Sequence, residues 1–147
     1  MSYMSDRVFI DTNILIYAYT LDEPPKHDIC KEIVKKVFLG NTRAAVSNQI
    51  IGELSRALLN KFNSPLAEVE KVVDELILYK NLDKVNYTSQ TIRKALFNCK
   101  TYAVPFWDSI IAETMKENGM AEIITENEKD FQRIPGIKAA NPFRTKQ

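Results

Sequence analysis

Histidine is nearly missing from this chain. Its 147 residues hold one, His27, beside two cysteines, Cys30 and Cys99. One histidine cannot complete a Cys₂His₂ zinc site. A Ser–His–Asp triad or a Cys–His dyad would have to use His27. Charge of one sign is missing too. Twenty Lys and Arg stand against nineteen Asp and Glu, a formal net charge of +1. No bulk attraction to nucleic acid follows from that sum, although a neutral total is compatible with a basic rim around an acidic centre. No run reaches the roughly 18 apolar residues of a membrane span. The start of the chain is short and polar, without the charged and apolar regions of a secretory leader. Two widely separated cysteines fit a reducing compartment, so the expected location is the cytoplasm. A Gly-x-x-x-x-Gly-Lys loop is absent, which excludes a P-loop. If the chain does chemistry, its carboxylates are the available groups.

What is present is ordinary for a folded domain: 45% hydrophobic and 27% charged residues. The length fits one domain over 1–147, with a core of about 7–142. Val8-Phe9-Ile10 reads as a buried strand ending at Asp11, with a helix over 13–19 behind it. Pro25 suits the first turn of a second helix that ends at Gly40-Asn41. Its apolar stripe is Ile29, Cys30, Ile33, Val34 and Val37, and a buried thiol is the expected role of Cys30. Residues 43–46 read as a second strand. Ser47 or Asn48 then caps a helix to about residue 62, with Ile50, Ile51, Leu54 and Leu58 inward. A helix to about residue 79 follows Asn63-Ser64-Pro65, with Val69, Val72, Val73, Leu76 and Ile77 inward. A third strand is expected over 82–87, then a helix capped by Thr88 or Ser89. Pro105-Phe106-Trp107-Asp108 opens another helix, closed by Gly119. Strands follow at 122–125 and 137–140. Strands alternating with helices predict a three-layer α/β/α sandwich with a mainly parallel sheet of about five strands. In such sheets ligands gather at the carboxyl ends of the strands, near the point where strand order reverses.

Several acids fall at such places. Asp11 directly follows the first strand, where it can also cap the next helix. Glu53 borders the apolar face of its helix, where an acid needs an ion pair, to Arg56 or Arg7, or a cation. Asp108 stands in the first turn of its helix, where the helix dipole favours a negative charge. Thr125-Glu126-Asn127-Glu128-Lys129-Asp130-Phe131 follows a strand and by itself reads as a solvated loop. Together these acids converge at one rim of a small parallel sheet. Mutual repulsion there raises pKa values or recruits a hard cation. Oxygen-only ligands suit Mg²⁺ or Mn²⁺. Such an ion activates water and neutralises phosphate charge without help from histidine.

The pattern resembles the PIN-domain family, and within it the VapC-type toxins of toxin–antitoxin pairs. The resemblance is carried by Val8-Phe9-Ile10-Asp11-Thr12-Asn13-Ile14-Leu15-Ile16, Ser47-Asn48-Gln49-Ile50-Ile51-Gly52-Glu53-Leu54, Trp107-Asp108-Ser109-Ile110-Ile111-Ala112 and the segment from Ile123 to Phe131. It implies a Mg²⁺-dependent endoribonuclease that leaves a 3′-hydroxyl and a 5′-phosphate. It implies that Asp11, Glu53, Asp108 and Asp130 are the catalytic acids, with Asp11, Asp108 and Asp130 on the metal and Glu53 on the metal or the attacking water. Asn13 and Thr125 match supporting polar positions. Some members carry an Asp two residues after the Thr; Asn127 stands there in this chain, so Glu126 and Asp130 compete as the fourth acid. The resemblance also implies an RNA substrate, a cognate antitoxin and a homodimer. Arg43, Lys61, Arg93 and Lys100 are the candidate RNA contacts.

Other readings meet specific obstacles. A haloacid-dehalogenase-type phosphatase needs a second Asp at position 13, which is Asn13. A receiver domain needs paired acids after the first strand, and Asp11-Thr12-Asn13 lacks them. A catalytically silent PIN-like binding module is the reading from a different class. His27 is expected on the surface. Tyr17, Tyr19 and Trp107 are candidate base-stacking groups, with apolar helix faces the simpler account of Tyr17 and Trp107.

Overall fold

The computed structural model describes residues 7–144; the polar start read above as lacking a leader lies outside them. The chain runs β1 (Val8–Ile10), α1 (Thr12–Tyr19), α2 (Pro24–Phe38), β2 (Ala44–Ser47), α3 (Asn48–Asn60), α4 (Leu66–Leu78), β3 (Leu82–Val85), α5 (Ser89–Tyr102), α6 (Phe106–Glu117), β4 (Glu122–Ile124), α7 (Glu128–Phe131) and β5 (Lys138–Ala140). The five strands form one sheet in the order β3-β2-β1-β4-β5, and every pairing is parallel. Phe9 lies opposite Ala45 on one side and Ile123 on the other. β1 is therefore central and apolar, with Phe9 and Ile10 fully buried.

Right-handed crossovers decide where the helices go. The chain steps from β1 out to β2 and β3, then crosses back to β4 and on to β5. Helices α1–α4 connect the first steps and α5–α7 the second, so the two sets cover opposite faces. Their contacts agree: α1 packs on α2 and α3, and α3 on α4, while α6 packs on α5 and α7. Strand order reverses between β1 and β4, so Asp11 and Thr125, the residues just past those two strands, stand at the switch point.

Local signals explain the helix starts. The Ser47 hydroxyl accepts from the Ile50 N–H at 3.2 Å and caps α3. Thr88 caps α5 in a reciprocal box with Thr91. Pro24 and Pro25 open α2. Buried positions in α2 and α4 are spaced by seven, Cys30 with Val37 and Val69 with Leu76. These outer helices touch the body along a narrow seam, which leaves the flanking apolar positions open. That is why Ile29 and Ile77, expected inward, are 41% and 57% exposed. The segment expected as a loop after β4 contains α7, a four-residue helix pinned by fully buried Phe131. A helix this short carries no periodicity to read. Among the described residues no helix is long and apolar enough to cross a membrane.

Ser47→Ala removes the α3 cap and is expected to cost about 1 kcal/mol. Leu54→Ala, which empties a fully buried position on the same helix, is expected to cost about 3 kcal/mol. Urea unfolding checks both, and the core change should be the larger.

Candidate active site

Asp11 is the hub. It leaves β1 at the switch point, is 6% exposed, and caps α1 by accepting from the Thr12 N–H at 2.8 Å on Oδ1. Its Oδ2 accepts from the Thr125 hydroxyl at 2.7 Å and the Asn13 amide at 3.3 Å. Burial pushes its pKa up, and the bonds from Thr125, Thr12 and Asn13 hold it back. The capping alternative is what the structure shows, and the same side chain stands among the acids.

Asp108 lies in the first turn of α6 but caps nothing; Pro105 occupies the cap position. Instead Asp108 Oδ2 accepts from the Asn127 amide at 3.0 Å. Its pKa is pushed up to about 6, first by burial, then by the charges of Asp11, Asp130 and Glu53. That one group therefore feels all three other acids. Glu53 stands on α3, partly open to solvent. Desolvation and the charge of Asp11 raise its pKa, against the Gln49 amide, which donates to Oε1 at 3.0 Å. The ion pairs expected for it do not form: Arg7 joins Asp83 at 2.8 Å, and Arg56 has no ion pair among the described residues. Asp130, on α7, lies 3.6 Å from the Arg133 guanidinium.

Glu126 has a different role. Its carboxylate pairs with the Lys26 ammonium and accepts from the Tyr17 hydroxyl at 2.5 Å. Burial opposes its ionisation, and Lys26 and Tyr17 more than offset this, so its pKa is lowered. Lys26 also lies over the Tyr17 and Phe143 rings. The backbone N–H of Glu126 donates to Asn13 Oδ1 at 3.2 Å, and the Asn127 N–H to the Thr125 hydroxyl at 2.9 Å. The β4–α7 loop is thus tied to α1 and α2, which fixes Thr125 against Asp11 and Asn127 against Asp108.

Among the described residues, no three of His, Cys, Asp and Glu stand close enough to enclose a metal ion. What unites the four carboxylates is repulsion within an oxygen-only donor set, the condition that a hard divalent cation relieves.

The expected RNA contacts divide. Lys61 borders one cavity with Glu53 and another with Asn13. Arg43 precedes β2, at the sheet edge opposite the carboxylates, because parallel strands place all their carboxyl ends together. Arg93 and Lys100 are exposed on α5. Two residues beside the acids carry no expectation from sequence, Gln49 and Lys26, while Arg56 is expected as an ion-pair partner of Glu53 and Asn127 marks a departure from the motif. Helical spacing places Gln49 and Arg56 on the face of Glu53. Nothing local signals Lys26, which is 100 residues from Glu126. His27, expected on the surface, is half-buried with Nδ1 2.9 Å from the Tyr17 carbonyl.

A doubly wound parallel α/β domain with an acid cluster at its switch point defines the class. The model of the PIN domain family matches residues 8–137, and the chain belongs to that family. Among solved structures it is similar to a toxin–antitoxin complex from Klebsiella pneumoniae (21% identity, TM-score 0.68, covering 94% of this chain and 99% of that one). It is also similar to VapBC-1 from nontypeable Haemophilus influenzae (23%, 0.63, 93% and 98%). A third likeness is to VapC20 of Mycobacterium tuberculosis, a sarcin-ricin loop cleaving toxin (15%, 0.63, 79% and 86%). At these identities the likeness establishes the fold. No curated protein matches the chain significantly.

The raised pKa of Asp108 makes a stability prediction. In the folded state its carboxyl holds a proton up to about pH 6, against the ordinary 3.8. The unfavourable charge is therefore present in full above about pH 6 and is relieved as pH falls towards 4. In metal-free protein, Asp108→Asn should raise stability at pH 7.5 by about 1 kcal/mol after allowance for screening, or roughly 3 °C in Tm, and by much less at pH 4.5. Calorimetry at the two pH values checks this.

Proposed function

We propose that the chain is a Mg²⁺-dependent endoribonuclease, the toxin of a toxin–antitoxin pair, acting in the cytoplasm as a homodimer. The observation that carries the catalytic part is Asp108, whose carboxyl responds to Asp11, Asp130 and Glu53 at once. Family membership supports the nuclease chemistry, and structural neighbours described as toxin–antitoxin complexes support the antitoxin partner. Asp11, Asp108 and Asp130 would hold the ion partly through water, since among the described residues no three such groups enclose one directly; Mn²⁺ has the same ligand chemistry. Once bound, Mg²⁺ supplies a nucleophilic water at neutral pH and neutralises charge on the phosphate.

The chain's own groups do the rest. Gln49 holds Glu53 Oε1, and the carboxylate placed in this way would orient the attacking water and take its proton. Asn127 holds Asp108 Oδ2 and so fixes the orientation of that carboxylate. Thr125 and Asn13 fix Asp11 so that it does not swing away from its neighbours. Glu126, engaged by Lys26 and Tyr17, positions the loop, and Asp130 is the fourth acid. Lys61, beside Glu53, contacts the RNA backbone.

Purified protein should cleave single-stranded RNA with Mg²⁺, stop in EDTA, and resume when Mg²⁺ is restored in excess. Asp108→Asn and Glu53→Gln should each slow cleavage by about a hundredfold or more. Cleavage by Asp108→Asn at the parent rate, or cleavage indifferent to EDTA, would sink the reading.

A further inference from the structure

We infer that Trp107, with Arg56 beside it, forms a subsite for one unpaired nucleotide next to the acid cluster; the inference rests on the ribonuclease reading. The sequence offers Trp107 two roles, base stacking and an apolar helix face, with the apolar face the simpler. The structure leaves it 52% exposed, one residue before Asp108. It lines a cavity of about 360 Å³ with Gln49, Gly52, Glu53 and Arg56, within the size range of small-molecule sites. One end of the cavity is Glu53, a member of the acid cluster.

The aromatic ring is braced. Tyr87 and Phe106 make edge-to-face contacts with it, at centroid distances of 6.3 and 5.0 Å. The Trp107 carbonyl accepts from the Gln49 amide at 3.4 Å, which ties the first turn of α6 to α3. A braced, exposed ring is a stacking platform for a base, and stacking needs a base free of a duplex. Arg56 supplies the complementary charge. It is exposed, lacks an ion pair among the described residues, and lines a second cavity with Glu53 and Lys61. A phosphate is the group a guanidinium in that position recognises. Gly52 keeps the platform open: a Cβ built there meets nothing within 4 Å. An unpaired nucleotide with its base on Trp107 and its phosphate towards Arg56 lies beside the carboxylates that would act on the neighbouring bond.

Trp107 is the only tryptophan in the chain, so its emission reports on this place alone. The experiment uses full-length Asp108→Asn protein with Mg²⁺ and an end-labelled single-stranded oligoribonucleotide of mixed sequence. Anisotropy of the label measures RNA binding, and tryptophan emission is read in the same titration. Emission should be quenched in step with binding, and the same strand annealed to its complement should quench far less. Trp107→Ala should weaken single-strand binding about fivefold or more, with Trp107→Phe close to the parent. Gly52→Leu, which adds a side chain to the cavity wall where a Cβ meets nothing within 4 Å, should weaken binding similarly while the fold holds by circular dichroism. Arg56→Ala should flatten the salt dependence of binding. RNA binding with unchanged emission, or unaltered affinity in both Trp107→Ala and Gly52→Leu, overturns the subsite and leaves the ribonuclease reading standing. Emission that shifts with protein concentration alone, as the mass in sedimentation doubles, assigns the ring to contact between copies and overturns the subsite. Absence of RNA binding by anisotropy overturns the ribonuclease reading, and the subsite with it.

Discussion

Repulsion among carboxylates at the end of β1 is the constraint around which the rest of the molecule is arranged. Asp11 is nearly buried at the switch point, where leaving a carboxylate uncompensated is costly. Three hydrogen bonds to its two oxygens offset part of that cost. They do not remove it, because Asp11 still raises Asp108 and Glu53. A sheet of short strands with helices on both faces holds these groups together against their own charge. The sequence needed for packing alone would not put acids there.

The supporting interactions follow from that constraint. A carboxylate kept near other carboxylates swings away unless an uncharged donor fixes it. Each acid at the centre has one: Thr125 and Asn13 for Asp11, Gln49 for Glu53, Asn127 for Asp108. None brings a formal positive charge, which would compete for the place of a cation. The charged partners sit one step further out. Lys26 takes Glu126 and anchors the loop, and Arg144 takes Glu128. Neutral donors within and ion pairs outside divide the work of holding the site from the work of holding its frame.

How much of this was legible in the sequence depends on the range of each interaction. The strand of Val8-Phe9-Ile10, the parallel alternation and the caps at Ser47 and Thr88 are local or periodic, and the structure keeps them. The helix α7 was illegible because four residues carry no period. Ile29 and Ile77 misled because an apolar residue in a helical stripe says nothing about the width of the seam that receives it. For Trp107 the apolar-face alternative fails for the same reason, because the side chain is exposed. Among the site groups, Gln49 lay within reach through its spacing from Glu53. The pairing of Lys26 with Glu126 joins the first and last quarters of the chain and needs the fold to be seen.

Asn127 shows how a departure from a pattern is absorbed. A carboxylate at this position would face Asp108 at the distance where the amide now donates, 3.0 Å. It would add a further like charge to a carboxyl already raised to about 6 by burial and, after it, by three other acids. The amide turns that repulsive contact into a hydrogen bond with the same span, and its own backbone N–H stays on Thr125, which holds Asp11. A single loop residue thereby links Asp11 and Asp108 through neutral donors. The loop carries a charge at Asp130, one helical turn on, where Arg133 lies 3.6 Å away. From that position its field still reaches Asp108 while a cation stands beside it, so it repels the other carboxylates less than an acid at 127 would.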